Sequence, residues 1–307
     1  MRKNIVIIGS SNTDMIIKMS HLPRPGETVL SGEFSTAGGG KGANQAVSAA
    51  RAGGQVVFIA RVGEDMFGEQ AVREFIEDRI HVDYIFRDKD APSGVALIFV
   101  DEQGENVIAV ASGANAHLSP ADIEASKDII ASARIVLLQL EIPIETVKTA
   151  IEIAMINGVD IILNPAPARP LGIDILKHVS ILTPNETEAE LLTGIKVGDE
   201  NGAARAAHEL SAKGVKTVVL TLGSRGVYVF SEDFTGIIPG FSVDTVDTTA
   251  AGDVFNGVLA VSLAENKSLF DAVRFSNAAA ALSVTKLGAQ TSAPYRSEIE
   301  LLLKIKA

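Results

Sequence analysis

The sequence contains no cysteine among its 307 residues. Disulfide bonds, thiolate nucleophiles and cysteine-ligated zinc sites are therefore excluded. Histidine is also scarce, and its five copies are scattered without the spacing of paired metal ligands. Long hydrophobic runs are missing as well, since no segment reaches the roughly 20 apolar residues of a transmembrane helix. The apolar run near the N-terminus is too short for a signal peptide, so we expect a cytoplasmic enzyme.

Positive charge is in short supply. Lysine and arginine number 27 against 38 aspartates and glutamates, which gives a net charge of −11. Such an acidic chain is not expected to bind nucleic acid or an anionic membrane. It can still bind an anionic ligand, because that needs only local amides and a few cations. Hydrophobic residues make up 47% of the chain, which is enough for a large core.

The chain does contain a regular alternation of short apolar runs and helical patterns. Buried strands are predicted at 4–9, 56–60, 134–140, 159–164, 215–222 and 226–230. Helices are predicted at 42–52, 66–80, 121–131, 144–157, 201–213, 251–264 and 269–286. Because strands that alternate with helices form parallel sheets, we expect an α/β fold with a mostly parallel sheet covered by helices on both faces. No linker divides the chain, so residues 1–307 are predicted to form one domain.

Two regions break this alternation. The segments 14–20 and 27–35 flank the turn-forming sequence LPRPGE, and residues 93–111 have the pattern of a hairpin. Neither region contains a helix, so residues 14–35 and 93–111 are predicted to form one small sheet beside the main one. Ligands of parallel α/β sheets bind beyond the carboxyl ends of the strands, where such a sheet would act as a lid. The alternative is an edge extension with no role in binding.

One candidate site is the sequence DTTAAGDVFNG at residues 247–257. A helix is predicted to begin near 249–251, which places Asp253 in its first turn. The small residues Ala250, Ala251 and Gly252 leave the free amides of that turn uncovered, and such amides favour an anion. A bound phosphate beside a base would explain both features. The simpler alternative is an acid that only complements the helix dipole.

A second candidate is GGGKGANQA at residues 38–46. It fits the G-x-G-x-x-A pattern of dinucleotide-binding turns, but no first strand leads directly into it, and Phe58 stands where that pattern requires an acid. It is not a P-loop either, since Lys41 is followed by Gly42 rather than serine or threonine. A glycine-rich helix start without a ligand is the remaining alternative.

Several other polar residues also have simple structural explanations. Asn12 and Asp14 follow the first strand and could be turn residues. Glu141 at the end of a strand could be a solvated acid. Asn185 and Glu188 have the spacing of a helix capping box.

Taken together, these motifs resemble the signatures of the ribokinase/phosphofructokinase-B family of sugar kinases. DTTAAGD is similar to the family's D-T-x-G-A-G-D signature, with Ala250 in place of the first glycine, and GGGKGAN is similar to its G-G-K-G-x-N signature. The resemblance implies an ATP-dependent carbohydrate kinase. The positions most similar to the family members that phosphorylate D-ribose at its 5-hydroxyl are Asn12, Asp14, 38–44, Glu141 and 163–168.

The resemblance also implies roles for individual residues. Asp253 would be the catalytic base, and the amides of Ala251 and Gly252 beside it would form an anion hole. The sugar hydroxyls would be bound by Asn12, Asp14, Gly40, Lys41, Asn44, Glu141 and Asp253. ATP would be bound by Asn185, Thr221, Gly223, Ser224, Gly226, Gly252 and Asn277.

Metal ions and partners follow from the resemblance as well. Mg²⁺ would accompany ATP and be held in part by Glu188 through water. A K⁺ ion would bind between two loops, at Asp247, Thr249, Ser283, Lys286, Gly288 and Ser292. The expected partners are D-ribose, ATP and a second copy of the chain, because family members pair through their lids. The alternatives left open are a family kinase for deoxyribose, fructose or a nucleoside, and a non-catalytic sensor of sugars or nucleotides on the same fold.

Overall fold

The computed structural model describes residues 4–30 and 32–306. Within these ranges the strands are β1 (Asn4–Ile8), β2 (Asn12–Lys18), β3 (Glu33–Gly39), β4 (Gln55–Gly63), β5 (Ile85–Asp88), β6 (Gly94–Val100), β7 (Asn106–Ala111), β8 (Ile135–Leu138), β9 (Asp160–Leu163), β10 (Ile181–Leu182), β11 (Thr217–Thr221), β12 (Val227–Phe230) and β13 (Thr235–Ile238). The α-helices are α1 (Lys41–Arg51), α2 (Met66–Glu77), α3 (Pro120–Ala125), α4 (Lys127–Ser132), α5 (Ile144–Ile156), α6 (Ile173–Leu176), α7 (Glu186–Thr193), α8 (Glu200–Ala212), α9 (Ala251–Ala264), α10 (Leu269–Ser283) and α11 (Arg296–Ile305). None of these helices is both long and apolar enough to cross a membrane.

The main sheet has nine strands in the order β13–β12–β11–β10–β9–β8–β1–β4–β5. Its pairings are parallel from β11 across to β5, and only β12 and β13 at one edge pair antiparallel. Because a parallel connection requires a crossover, successive strands are joined by helices, and the carboxyl ends of the parallel strands lie along the same edge of the sheet.

Helices cover both faces of this sheet. The side chains of β1 alternate between two separate cores: Val6 and Ile8 pack into one, and Ile5 and Ile7 pack into the other. The first core is closed by apolar residues of α3 to α8 and the second by those of α1, α9, α10 and α11. A strand that is buried on both faces reads as a continuous apolar run, which is why β1 was recognisable. The predicted fold class is confirmed.

A second sheet of four strands lies apart from the first, in the order β3–β2–β6–β7. Strands β2 and β6 pair parallel, with Asn12 opposite Gly94, and the two outer pairings are antiparallel. The predicted small sheet therefore exists, but one of its strands is displaced. The strand expected at 27–35 forms at Glu33–Gly39 instead, because the register with β2 recruits the small residues of the STAGG segment into the ladder.

The remaining differences concern short elements. The helix predicted at 121–131 is two helices, since Ser126 ends α3 and begins α4. The helix predicted at 269–286 ends at Ser283. Strands β5, β10 and β13 have two to four residues each. Such lengths are too short for a periodic pattern to stand out from the sequence.

Candidate active site

The carboxylate of Asp253 lies at the centre of the polar residues that the sequence singled out. It sits in the first turn of α9, is only 5% exposed, and is held by two amides of α1. Asn44 Nδ2 donates to its Oδ2 at 3.0 Å, and Gln45 Nε2 donates to its Oδ1 at 3.0 Å. Burial raises the pKa of Asp253, and the Lys41 ammonium and these two amides act against that rise. In return, Asp253 raises the pKa of Lys41.

A chain of buried amides continues behind Asp253. Gln139 Nε2 donates to Gln45 Oε1 at 2.5 Å, and Gln45 Nε2 donates to Asn164 Oδ1 at 3.2 Å as well as to Asp253. Both glutamines are fully buried. None of the sequence motifs indicated this chain of amides. The available signal was a glutamine inside an otherwise apolar strand run, because a buried polar side chain needs partners.

Two glycines of the 38–46 segment are explained by close packing against β2. Gly40 begins α1 with a φ of 87°, and a Cβ there would lie 2.8 Å from the backbone nitrogen of Asn12. A Cβ on Gly39 would lie 2.1 Å from the Asp14 carboxylate. This close approach brings the start of α1, with Lys41, beside Asn12 and Asp14 of β2.

Two acids complete this polar cluster. Glu141 Oε2 accepts hydrogen bonds from Ser10 Oγ at 2.5 Å and from the Lys41 backbone nitrogen at 3.1 Å. Burial and the nearby Glu141 raise the pKa of Asp14 to about 6. Asp14 also lines a cleft of about 1030 Å³ beneath the second sheet, together with Ile98 and Ile108. The cluster is rich in hydrogen-bond acceptors and is covered on one side by apolar side chains.

A second cleft, of about 820 Å³, opens at the start of α9. Ala250 precedes this helix with a φ of 58°, the left-handed conformation that a glycine would adopt without strain. A Cβ on Gly252 would meet no protein atom within 4 Å, so packing within the chain does not require a glycine there. The predicted nucleotide residues that line this cleft are Asn185, Thr221, Gly223, Ser224, Gly226, Gly252 and Asn277. Phe241, Ser242 and Val243, which no sequence motif indicated, also line the cleft.

Asn185 and Glu188 form a complete capping box at the start of α7. Asn185 Oδ1 accepts from the Glu188 backbone nitrogen at 2.8 Å, and Glu188 Oε2 accepts from the Asn185 backbone nitrogen at 2.9 Å. The capping explanation is therefore confirmed. Glu188 is buried, and that burial raises its pKa. Two nearby charges act on the same pKa: Lys41 lowers it and Asp253 raises it.

The residues near Glu188 could hold a divalent ion only if water and substrate phosphates supplied most of its ligands. Within residues 4–30 and 32–306, no three histidines or acids are grouped so as to hold a metal. Both carboxylate oxygens of Glu188 already accept hydrogen bonds from Asn185. Mg²⁺ usually keeps several waters and needs one or two carboxylates plus substrate phosphates. The residues therefore fit an Mg²⁺ that arrives with a nucleotide and contacts Glu188 through water.

The two loops predicted for a monovalent cation lie side by side. The Val246 backbone nitrogen donates to the Val284 carbonyl at 2.7 Å, and Asp247 joins both loops. Its Oδ1 accepts from the nitrogen and hydroxyl of Thr249, and its Oδ2 accepts from the Gly288 nitrogen at 2.9 Å. Burial alone would raise the pKa of Asp247, but these hydrogen bonds outweigh burial and lower the pKa below its usual value.

Three other predicted cation residues have internal partners. The Ser283 and Ser292 hydroxyls donate to the carbonyls of Ala280 and Ala289, and Lys286 Nζ pairs with Glu298 at 2.8 Å. These contacts leave backbone carbonyls and one ionised carboxylate between the loops. That donor set suits a hard cation.

Comparison with known proteins identifies the family. The model of the pfkB family of carbohydrate kinases matches residues 2–296. The chain belongs to this family. It is 46% identical over 298 residues to a ribokinase of Haemophilus influenzae, covering 97% of each chain. It is 37% identical to a deoxyribokinase of Salmonella typhi, covering 95% of each. The structure of Arabidopsis thaliana ribokinase complexed with ribose and ATP is 34% identical, covers 99% of both chains and superposes with a TM-score of 0.91.

Membership of the pfkB family decides between enzyme classes. The protein is an ATP-dependent carbohydrate kinase, which removes the dinucleotide-binding interpretation of the glycine-rich segment. The GGG segment ends β3 and begins α1, so it does not follow the first strand of a βαβ unit.

Proposed function

We propose that this protein transfers the γ-phosphoryl group of ATP to the 5-hydroxyl of D-ribose. The observation that carries the proposal is the position of Asp253. Its carboxylate is held by Asn44 and lies near the charges of Lys41 and Glu141 in the polar cluster, and the preceding residues Ala251 and Gly252 line the 820 Å³ cleft. A sugar bound in the cluster and a nucleotide in the cleft would therefore meet at this carboxylate.

The polar cluster suits a polyol. Ionised Asp14 and Glu141 accept hydrogen bonds from hydroxyls. Asn44 Oδ1 is buried and has no hydrogen-bond partner within the described residues, and an unsatisfied buried acceptor favours a ligand that donates. Gly40 and Lys41 border the same cluster at the start of α1. The relatives named as ribokinases support D-ribose as the sugar.

Asp253 acts in this proposal as the base. It orients the sugar hydroxyl and receives its proton late in the transfer, because the transition state of phosphoryl transfer is loose. Burial raises its pKa, which improves its match to a proton that is released near neutral pH. The Lys41 ammonium nearby stabilises the ionised carboxylate and faces the approaching phosphate.

The start of α9 receives the negative charge. The amides of Gly252 and Asp253 lie in the first helical turn, where backbone N–H groups favour an anion. The Ala251 amide donates to the Thr248 carbonyl at 3.3 Å and would have to exchange that long hydrogen bond for one to the anion. When Mg²⁺ is bound with ATP, it neutralises phosphate charge. Asn185 lines the cleft and is hydrogen-bonded to Glu188, so we expect both residues to contact its water shell. Thr221, Gly223, Ser224, Gly226 and Asn277 would border the rest of the nucleotide.

The second sheet serves as the lid in this proposal. Strands β2 and β6 carry Asp14, Ile16 and Ile98 on the face that lines the cleft. Water excluded by such a cover cannot take the phosphoryl group. We regard residues 1–307 as one catalytic domain with this lid, acting in the cytoplasm where its co-substrate ATP is supplied.

A coupled ATP-consumption assay across D-ribose, 2-deoxy-D-ribose, D-fructose and nucleosides tests the substrate. We expect D-ribose to have the highest kcat/KM, with phosphate recovered on its 5-hydroxyl. A site that binds a hydroxyl rejects an analogue without it by up to about 10⁴-fold. Preference for 2-deoxy-D-ribose would overturn the proposal in favour of the activity named for the Salmonella relative, and no turnover with any sugar would favour a sensor.

We propose K⁺ as an activating ion between the loops that Asp247 joins. A cation there would orient the adjacent start of α9 through Thr249 and the carbonyls of Ser283, Lys286 and Gly288, with Ser292 beneath. Turnover is expected to be faster in K⁺ than in Na⁺ or a bulky organic cation at fixed Mg²⁺ and ionic strength. Equal rates in all three would remove this ion from the proposal.

We also propose a homodimer through the outer face of the lid. Phe34, Leu97 and Val107 are 63%, 43% and 53% exposed, and the pairing register places them on the face opposite Asp14 together with Phe99. Such an apolar face favours association. Phe99→Glu is expected to give monomers in sedimentation experiments, whereas Ile98 faces the cleft. A monomeric wild type at micromolar concentration would contradict the dimer.

A further inference from the structure

The polarity of the Asn12 amide is fixed by a residue outside the sequence motifs, Asn115. This asparagine lies in the short 3₁₀ turn Gly113–His117, immediately after the last strand of the second sheet, and is 2% exposed. Its Oδ1 accepts from the Ser11 backbone nitrogen at 2.8 Å, and its Nδ2 donates to the Ser11 carbonyl at 3.1 Å. A backbone N–H can only donate and a carbonyl can only accept, so these two bonds determine which end of the Asn115 amide is nitrogen.

The orientation of the Asn115 amide in turn determines the orientation of the Asn12 amide. Asn115 Nδ2 also donates to Asn12 Oδ1 at 2.8 Å, which leaves the Asn12 nitrogen as the end that faces the polar cluster. Within residues 4–30 and 32–306, Asn12 Nδ2 has no hydrogen-bond partner. Asp14, Glu141 and Asp253, the three carboxylates expected to bind the sugar, are acceptors when ionised. Sugar hydroxyls that donate to them still carry lone pairs that need a donor.

The contact between the two asparagines is built into the lid. Gly94, the first residue of β6, pairs with Asn12. A Cβ on Gly94 would lie 2.2 Å from Asn12 Oδ1 and 2.3 Å from Asn115 Nδ2. The Ala114 nitrogen donates to the Pro92 carbonyl at 2.8 Å, so the two ends of the β6–β7 hairpin meet at this point. Any shift of the hairpin base relative to β2 therefore breaks the Asn12–Asn115 contact.

We propose that Asn115 is a positioning residue, which holds Asn12 as a hydrogen-bond donor to the sugar and joins sugar binding to the seating of the lid. The proposal rests on the proposed function, since it requires that a sugar binds beside Asn12. It adds that the sugar atom facing Asn12 accepts a hydrogen bond, and that Asn115 acts on the sugar only through Asn12.

A double-mutant cycle tests this route. Asn115→Asp removes the donor to Asn12 and favours a flipped Asn12 amide, whose nitrogen would donate to the new carboxylate instead of to the sugar. KM for D-ribose is therefore expected to rise about tenfold, while KM for ATP stays unchanged and kcat stays within about threefold of wild type. In an Asn12→Leu background the same change is expected to add less than twofold. Ser93→Ala is the control: it removes the hydroxyl that donates to Asp65 and accepts from the Gly63 nitrogen, while the Ser93 backbone nitrogen still donates to Asp65 Oδ2 and holds the hairpin base in place. Its KM for D-ribose is expected to stay within twofold.

Several outcomes would overturn the proposal. The first is a double mutant whose KM for D-ribose rises by the product of the two single-mutant increases, which would show that Asn12 and Asn115 act independently. The second is a rise in KM for ATP equal to that for D-ribose. The third is an effect of Ser93→Ala on KM for D-ribose as large as that of Asn115→Asp. Because a buried charge can prevent folding, Asn115→Ala is taken through the same cycle. If wild type phosphorylates D-ribose normally while these results fail, only the positioning role is lost. If wild type has no activity on D-ribose, the proposed function itself fails.

The donor role of Asn12 can be tested on the wild-type enzyme. Replacing a hydroxyl with fluorine keeps a weak acceptor and removes the donor, whereas replacing it with hydrogen removes both. Monofluoro and deoxy analogues of D-ribose are compared carbon by carbon. At one carbon, the fluoro analogue is expected to bind at least threefold more tightly than the deoxy analogue. That difference is expected to vanish in Asn12→Leu. If fluorine is no better than hydrogen at every position, Asn12 does not donate to the sugar.

Discussion

The two sides of the site that we propose to bind the sugar and the nucleotide are built by different means. On the sugar side, buried side chains bind one another: Asn44 and Gln45 hold the Asp253 carboxylate, and Gln139 holds Gln45. On the nucleotide side, the cleft is bounded by backbone turns, of which Gly226 with a φ of 95° is one. Side-chain identity therefore controls the first side, and backbone conformation controls the second.

The largest effect is expected where the two sides meet. Asp253→Asn removes the base while keeping the shape of the side chain, so kcat should fall by about 10²- to 10⁴-fold. Binding of D-ribose and ATP, measured by calorimetry, should be retained. Asp271→Asn is the matched control, since Asp271 occupies the same first-turn position on α10 and lines neither of the two clefts. Near-normal turnover of Asp253→Asn would remove Asp253 from the catalytic role.

The sugar side should also be a source of instability. The pKa of Asp14 is about 6 in the folded chain against 3.8 for the free side chain. The folded state binds the proton more tightly, so this group weakens folding as pH rises through the interval between these values. At about 1.4 kcal/mol per pKa unit, Asp14 costs roughly 3 kcal/mol at pH 7.

Asp14→Asn should therefore stabilise the protein at pH 7 by up to about 3 kcal/mol and give almost no gain at pH 4. The same change should raise KM for D-ribose, because an ionised acceptor is lost. Denaturant unfolding at both pH values measures the gain, and exposed Asp83→Asn serves as a control with no expected pH-dependent gain. A gain that is equal at pH 4 and pH 7 would contradict the assignment to ionisation.

The nucleotide side can be tested with a pair of glycines. Gly223 and Gly226 both have positive φ values, but a Cβ on Gly226 would lie 2.3 Å from the Ile238 carbonyl, while one on Gly223 would meet nothing within 4 Å. Gly223→Ala should cost about 1 kcal/mol through backbone strain alone. Gly226→Ala should cost about 2 kcal/mol more and raise KM for ATP without changing KM for D-ribose. Equal effects of the two changes would show that the close contact is unimportant.

This contrast also explains what the sequence could predict. Residues in signature motifs, such as Asn44 and Asp253, were identified because a motif records chemistry in consecutive positions. The apolar runs of β1 and β4 were found because burial on both sheet faces leaves an uninterrupted pattern. Asn115 and Gln139 were missed because their importance depends on contacts 103 and 94 residues away along the chain. No local pattern records such contacts.

The amide chain behind Asp253 should contribute a smaller catalytic effect. Gln45→Leu removes one hydrogen bond that favours the ionised carboxylate, so the pKa of Asp253 should rise further. We expect kcat to fall about tenfold and the acid limb of the kcat–pH profile to move to higher pH. Gln70→Leu, on the exposed face of α2, should change neither. An unshifted profile in Gln45→Leu would leave that residue with packing as its only role.

The smallest effect concerns the departure from the family signature at Ala250. Its left-handed φ of 58° costs an L-residue about 1–2 kcal/mol, whereas glycine adds roughly 0.4–1 kcal/mol of unfolded-chain entropy. Ala250→Gly should therefore stabilise the protein by about 0.5 kcal/mol and leave kcat within about twofold, since its amide remains. Ala251→Gly, one residue into α9, should instead destabilise by up to about 1 kcal/mol. If denaturant unfolding gave both substitutions the same sign, backbone strain at Ala250 would be excluded as the cause.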